Sequence, residues 1–310
     1  MPCRRAKWIR LPLLAIMALF APIISRAEEE SIPAGWRRIT TDGLFKQRPQ
    51  WSLDGERLLF TRHGEDSIHL FQCRADGTDD KRLLTGEPFN FDAVISPDAK
   101  RLAYVFDKLT PGQGDMQIYV ASADGENPQP LFVSEGKLSH EEWPNWSPDG
   151  KWIVCHSTRD ENAELYLLSV GVNEKGEPTN DIAPKRLTSD PALDVHPCFS
   201  PDGRQIAFAT NRWGDFELAT FDLESASVTR LSTSPGLDDY PAWSPDGKQL
   251  AFTSHREGNL EIFIANADGS NPRNLTQHAG PDNFATWSPE GEITWVSFHN
   301  GQWDIFSVKP

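Results

Sequence analysis

The 310-residue sequence has one long apolar run, Leu11 to Ile24, and no other. That run is broken by Pro12 and Pro22 and falls short of the ~20 residues a membrane-spanning helix needs. Cysteine is scarce. Cys3 stands near the start, and Cys73, Cys155 and Cys198 are an odd number at irregular spacing, which speaks against a disulfide framework or a zinc pattern. The apolar surroundings of Cys73 and Cys155 point instead to buried free thiols. Catalytic signatures are missing as well: there is no Gly-x-Ser-x-Gly elbow and no His-Glu-x-x-His pair. Basic residues are outnumbered, 30 Lys and Arg against 45 Asp and Glu, a net charge of −15. Such a field repels nucleic acid and anionic lipid, so neither is expected as a partner. Disorder is excluded by composition, because 11 Trp and 17 Phe supply ample surface to bury.

The apolar run reads as the core of an export signal. Arg4, Arg5, Lys7 and Arg10 precede it, and Ser25-Arg26-Ala27 supplies small residues at a cleavage position. Residues 1–27 are therefore expected to be a signal peptide, 28–35 a short linker and 36–310 the folded domain. No stable membrane insertion is expected, and the destination is the periplasm or the exterior. Removing the signal leaves 25 basic against 45 acidic residues, a net charge of −20, which favours cations or basic partners.

What the chain has in abundance is a repeat. Trp51-Ser52-Leu53-Asp54-Gly55 returns as Ile95-Ser96-Pro97-Asp98-Ala99, Trp146-Ser147-Pro148-Asp149-Gly150 and Phe199-Ser200-Pro201-Asp202-Gly203. It returns twice more, as Trp243-Ser244-Pro245-Asp246-Gly247 and Trp287-Ser288-Pro289-Glu290-Gly291. The serines are 44, 51, 53, 44 and 44 residues apart. Pro presets φ, Ser caps the turn and Gly accepts positive φ at its exit, so each motif joins two strands. A second turn, Ala-Asp-Gly at residues 75–77, 123–125 and 267–269, joins a third strand to a short fourth. Four-stranded units of this length are the blades of a β-propeller. The last unit stops after its third strand, Trp303 to Val308, whereas Trp36-Arg37-Arg38-Ile39-Thr40 matches the fourth-strand pattern of Lys185-Arg186-Leu187-Thr188. An all-β, six-bladed propeller is expected, closed by the N-terminal segment as the outer strand of the last blade.

The repeated Pro-x-Trp-Ser-Pro-Asp-Gly, the Glu-Ile-Phe strand and the Ala-Asp-Gly turn resemble the TolB-type propeller repeats over residues 36–310. The resemblance implies a periplasmic, non-enzymatic propeller that binds partner proteins, among them the peptidoglycan-associated lipoprotein of the Tol-Pal system. It also implies a channel able to hold calcium, although no cofactor is required. TolB carries an α/β domain before its propeller, and here about eight residues separate the expected cleavage point from the closing strand. That domain's contacts cannot be carried over, and fold alone constrains function poorly.

Strand order places the Ser-Pro-Asp-Gly and Ala-Asp-Gly turns at one end of the ring and the second-to-third strand loops at the other, where recognition residues tend to gather. Six residues before each motif serine stand Lys46, Asn90, Glu141, Asp194, Asp238 and Asp282; four before it stand Arg48, Asp92, Trp143, His196, Tyr240 and Phe284. Both sets are expected to ring the channel mouth. The acids, with Asp239 nearby, would form a cation site (Asp194, Asp238 and Asp282 as metal ligands) or a socket for a basic peptide edge, and Trp143, Tyr240 and Phe284 would be apolar anchors. The plainer alternative has each acid capping a turn. Arg159, Arg212 and Arg256 on the loops could pair with partner carboxylates; the plainer alternative pairs them with Asp160, Asp215 or Glu257 beside them. Growth of blade 2 around Leu109 to Gly114, and before blade 3, marks the same end as variable. The Asp of each Ser-Pro-Asp-Gly and the third-strand acids Glu164, Glu217, Glu261 and Asp304 read as structural.

The resulting expectation is a monomeric, non-enzymatic protein that binds an envelope protein or peptide at the channel mouth. The alternative is a metal-assisted polysaccharide lyase or hydrolase, with His196 beside Asp194 and with His63, His255 and His299 on neighbouring loops. Convergence of those groups on one point would favour catalysis.

Overall fold

The computed structural model describes residues 31–84, 86, 89–107, 115–132, 139–172, 178–179 and 183–310. The expected signal segment and the insertion at residues 108–114 lie outside the described residues, as does the stretch before blade 3 at 133–138. Among the described residues no helix is long and apolar enough to cross a membrane.

Six four-stranded antiparallel sheets make the propeller. Blade 1 comprises Lys46–Trp51, Arg57–His63, Ile68–Arg74 and Lys81–Arg82, and blade 2 comprises Asn90–Ile95, Arg101–Asp107, Met116–Ser122 and Gln129–Pro130. Blade 3 is built from Glu141–Trp146, Trp152–Ser157, Glu164–Ser169 and Lys185–Arg186, with a small side hairpin of Gly171–Val172 and Pro178–Thr179. Blade 4 follows with Asp194–Phe199, Gln205–Thr210, Glu217–Asp222 and Val228–Arg230, and blade 5 with Asp238–Trp243, Gln249–Ser254, Glu261–Asn266 and Arg273–Asn274. In blade 6, Asp282–Trp287, Ile293–His299 and Gln302–Val308 are completed by Arg37–Arg38 from the start of the domain. Arg37 pairs with Ser307 and Arg38 with Phe306, and the Ile39 N–H donates to the Ile305 carbonyl at 2.7 Å. The ring is closed as the repeat predicts.

The repeated residues account for the geometry. In the first five motifs the serine hydroxyl donates to the turn Asp, at 2.6 Å for Ser52 to Asp54, and accepts from a backbone N–H five residues on, that of Arg57 in blade 1; in the last motif Ser288 accepts from the Glu292 N–H, four residues on. The serine bond is the main cause that holds the turn carboxyls below the usual range, so turn geometry explains these acids. The acid that opens the third strand ties down the fourth: Arg186 and Thr188 donate to Glu164, and Arg38 and Thr40 donate to Asp304. This bonding explains the shared endings Arg38-Ile39-Thr40 and Arg186-Leu187-Thr188. Gly269 meets the preceding blade so closely that a Cβ would lie 2.0 Å from the Leu231 carbonyl oxygen, and Gly77 bears the same relation to Ile39.

The cores lie between blades, not within them. Val94, Ile118 and Val120 of blade 2 pack on Trp146, Ile153 and Tyr166 of blade 3, and similar clusters fill the other junctions. At the closure, Val296 and Ile305 of blade 6 pack with Ile39 against Leu58 and Phe60 of blade 1, so the last junction is as apolar as the rest. Such continuity gives a ring its stability, since each face is buried only by a neighbour.

Candidate functional site

Each innermost strand carries a β-bulge about four residues before its motif serine, where pairing slips, as between Gln47 and Gln50 or Glu142 and Asn145. The residue at the bulge adopts positive φ in every blade: Arg48 49°, Asp92 55°, Trp143 59°, His196 52°, Tyr240 54° and Phe284 58°. In four blades a proline follows, which removes an N–H that the bulge could not pair. A left-handed bulge re-aims its side chain. Here all six turn toward the axis.

There they form a plug. Trp143 packs against His196 (4.7 Å between ring centroids), Tyr240 (5.1 Å) and Phe284 (6.1 Å), and Tyr240 contacts His196 (4.3 Å) and Phe284 (4.7 Å). The Arg48 guanidinium lies 4.2 Å over the Trp143 ring, a cation–π contact. It donates to the Asp92 main-chain carbonyl at 3.2 Å and to that of Pro144 at 2.6 Å. Burial lowers the Arg48 pKa to about 10 and raises the Asp92 carboxyl to about 6. The Asp92 carboxylate itself accepts from Gln47 Nε2 at 2.9 Å.

On the side of the Ser-Pro-Asp-Gly turns the plug is the floor of a cavity of about 220 Å³. Arg48, Trp143, Tyr240 and Phe284 line its depth, and Gln50, Asn145, Trp243 and Pro201 rise toward its rim. On the other side lies a histidine–carboxylate group. His196 Nδ1 is 2.7 Å from Asp239 Oδ1, His140 Nδ1 is 3.2 Å from Glu142 Oε1, and His156 meets His196 edge-on. Burial drives the His156 pKa down to about 3.

The ring six residues before each serine behaves differently from expectation. Lys46, Asn90, Glu141, Asp194, Asp238 and Asp282 are all buried inside their blades. Glu141 receives Arg159 at 3.0 Å, Asp238 receives Arg256 through two bonds at 2.9 and 3.0 Å, and Asp194 receives Arg212. Each arginine stands 18 residues after its acid, and a hydroxyl two residues earlier completes the set in blades 3 and 5, where Ser157 and Ser254 donate to the same carboxylates. Asp282 instead contacts His278 Nε2 at 2.9 Å, and Lys46 pairs with Asp42 and Asp304. These arginines therefore do not use Asp160, Asp215 or Glu257, nor are the acids turn caps. A carboxylate at zero exposure needs donors in place of water, and here the arginines supply charged ones. Asp194, Asp238 and Asp282 do not converge, and among the described residues no three His, Cys, Asp or Glu side chains are grouped as metal ligands. Nor do the four histidines of the catalytic alternative meet: His63 contacts Gln47, and His196 contacts Asp239, not Asp194.

Residues 217–310 match the family model described as the TolB beta propeller domain. Over that part the chain is similar to TolB propellers. It is 26% identical over 172 residues to a protein TolB homolog of Chlorobium luteolum, covering 56% of this chain and 35% of that one. It superposes on TolB of Acinetobacter baumannii with a TM-score of 0.66 at 20% identity, over 84% of this chain and 65% of that one. It also superposes on an oligogalacturonate lyase of Vibrio parahaemolyticus with a TM-score of 0.59 at 13% identity, over 88% and 93%. At such identities the two structures speak for the fold alone. The chain spans between 32% and 58% of the length of the first curated relatives it matches.

In this propeller the bulge residues Asp92, Trp143, His196, Tyr240 and Phe284 do come together, on the axis and not around an open mouth. Glu141, Asp194, Asp238 and Asp282 remain apart in their blades with Arg159, Arg212 and Arg256 or a histidine. The repeat position places Arg48 in the same ring, although it carries no expected binding role; Glu142 and His156, one residue before a bulge and on the neighbouring strand, have no repeat signal that names them.

Proposed function

We propose that this propeller is an exported, non-enzymatic envelope protein that binds a partner protein or peptide, and that the cavity over the axial plug is its binding surface. The observation that carries the reading is the plug. Six side chains close the axis, while Glu141, Asp194 and Asp238 are bonded to Arg159, Arg212 and Arg256 inside the blades. Edges of Trp143, Tyr240 and Phe284 line the depth of the cavity, rigid rings of the kind that dominate binding energy. The TolB-named relatives support a partner protein; the peptidoglycan-associated lipoprotein is a natural first trial. A calcium ion, if the protein takes one, would have to bind elsewhere than at Asp194, Asp238 and Asp282, which are already paired.

Ala242 lines the cavity, so Ala242→Trp should fill it. Capture from envelope extract with this variant is expected to lose the partner that wild type retains, with thermal stability preserved. Undiminished recovery would reject the cavity as the surface used.

One observation favours the enzymatic alternative: the His196–Asp239 contact with Glu142 and His156 beside it, on the other side of the plug. Incubation with oligogalacturonate and divalent cations, followed by assay for unsaturated product, tests it; turnover lost in Asp239→Asn would displace the binding reading.

A further inference from the structure

Seven arginines that pack into the blades share a pattern that Arg48 does not follow. Arg38, Arg62, Arg159, Arg186, Arg212, Arg230 and Arg256 each sit within 4.0 Å of a carboxylate. Arg48 is more deeply buried than any of these, at 3% exposure, yet its two hydrogen bonds go to main-chain carbonyls. The one acid close to it, Asp92, turns its carboxylate to Gln47. A guanidinium has five N–H donors and matches a carboxylate in bidentate fashion. Burying one without that partner is costly unless a ligand supplies it.

The surroundings say what kind of ligand. The guanidinium is pinned from one side by the Trp143 face and reaches the cavity floor among Tyr240 and Phe284. Asn145, on the wall, gives its Oδ1 to the Phe199 N–H, so the remaining end of its amide is a donor. At about 220 Å³ the space is smaller than the ~300–1,000 Å³ of clefts for drug-sized molecules. It has room for the end of a chain, not for a folded segment laid across it. The pit also lies on the ring axis, where a chain can enter only end-on.

We propose that the cavity is a socket for the C-terminal carboxylate of a partner polypeptide, with Arg48 pairing the carboxylate and Trp143, Tyr240 and Phe284 packing its last side chain. The inference rests on reading this end as the binding surface. It names the chemistry that would recognise the partner in a protein whose own net charge otherwise disfavours anions.

Tryptophans 143, 243 and 287 line the cavity, so titration followed by intrinsic fluorescence reports occupancy. The probes are N-acetyl-L-phenylalanine, its primary amide, and N-acetyl-L-glutamic acid α-amide, each added to the whole protein. The free acid of the phenylalanine derivative should bind at least about tenfold more tightly than its amide. Arg48→Met should reduce that ratio to near one, and Arg48→Lys should retain part of it. Equal binding of acid and amide by wild type, or no binding of either, would overturn the socket, and this comparison needs no variant to fold. Tighter binding of the glutamic acid α-amide would overturn the assignment to a chain terminus in favour of a side-chain carboxylate. Partner capture lost in Ala242→Trp alongside equal binding of acid and amide would leave the surface standing and remove only the carboxylate.

Discussion

Blade 5 differs from three of its neighbours at a single buried contact. In blades 3, 4 and 6 the acid that opens the third strand accepts a guanidinium from the fourth, Arg186 to Glu164, Arg230 to Glu217 and Arg38 to Asp304. The equivalent register position in blade 5 is Asn274, whose amide turns away to Glu257. Glu261 is left with Thr276 Oγ1 at 2.5 Å and Asn259 Nδ2 at 3.2 Å, and burial pushes its carboxyl from 4.5 to about 7. The folded chain therefore holds a proton that the unfolded chain has released between those two values. Stability from this group is fullest below pH 4.5, declines as pH rises to about 7, and stays low above it. The shift corresponds to about 3 kcal/mol at most, and solvent screening at a partly accessible group brings the loss to about 1–2 kcal/mol. Asn274→Arg restores the partner found in the other blades. It should raise the melting temperature at pH 8 by roughly 2–6 °C and by much less at pH 5, measured by circular dichroism. Glu261→Gln should flatten the pH step without an arginine. An equal gain from Asn274→Arg at both pH values would refute the argument, because the benefit would then not come from holding Glu261 ionised.

Other outcomes follow from the same contacts. Gly269→Ala should destabilise by more than about 2 kcal/mol, because a Cβ at positive φ would collide with the Leu231 carbonyl; a melting temperature within 1–2 °C of wild type would show that the blades can part cheaply. Arg212→Met should cost about 3–5 kcal/mol in denaturant titration by stranding Asp194, and a loss under about 1 kcal/mol would mean that water reaches that carboxylate. Cys73, Cys155 and Cys198 are free and buried, with burial raising Cys73 and Cys198 to about 12; an Ellman assay should find them unreactive until the protein is unfolded.

Much of the architecture was legible because its causes are local and repeated. Ser-Pro-Asp-Gly dictates a turn wherever it occurs, and six occurrences count the blades. The mismatch between Trp303–Val308 and Trp36–Thr40 predicted the closure, since an unpaired third strand at one end and an orphan fourth strand at the other have one economical solution. The site was only half legible. Repeat position identified which residues are equivalent, and so picked out Trp143, Tyr240 and Phe284 together. It did not disclose the bulge, which depends on left-handed φ at residues as varied as Arg48 and Phe284 and leaves no composition of its own. Without the bulge, neighbouring positions appear to share a face. Sequence alone therefore places the carboxylates of one ring and the aromatics of the other at one mouth, whereas one set points into the blades and the other fills the axis. The arginine partners were hidden for a related reason: Arg159 sits beside Asp160 in sequence but across the blade from Glu141, and pairing follows the fold.

The axial plug has a consequence for how the two faces of the molecule communicate. Solvent or solute arriving from either end stops at the same six side chains, so nothing is threaded through the ring. Whatever docks over Arg48 presses on Trp143, and Trp143 touches His196, whose imidazole is held by Asp239 on the far side. The hub thus links the two faces through rings in edge-on and tilted contact with one another.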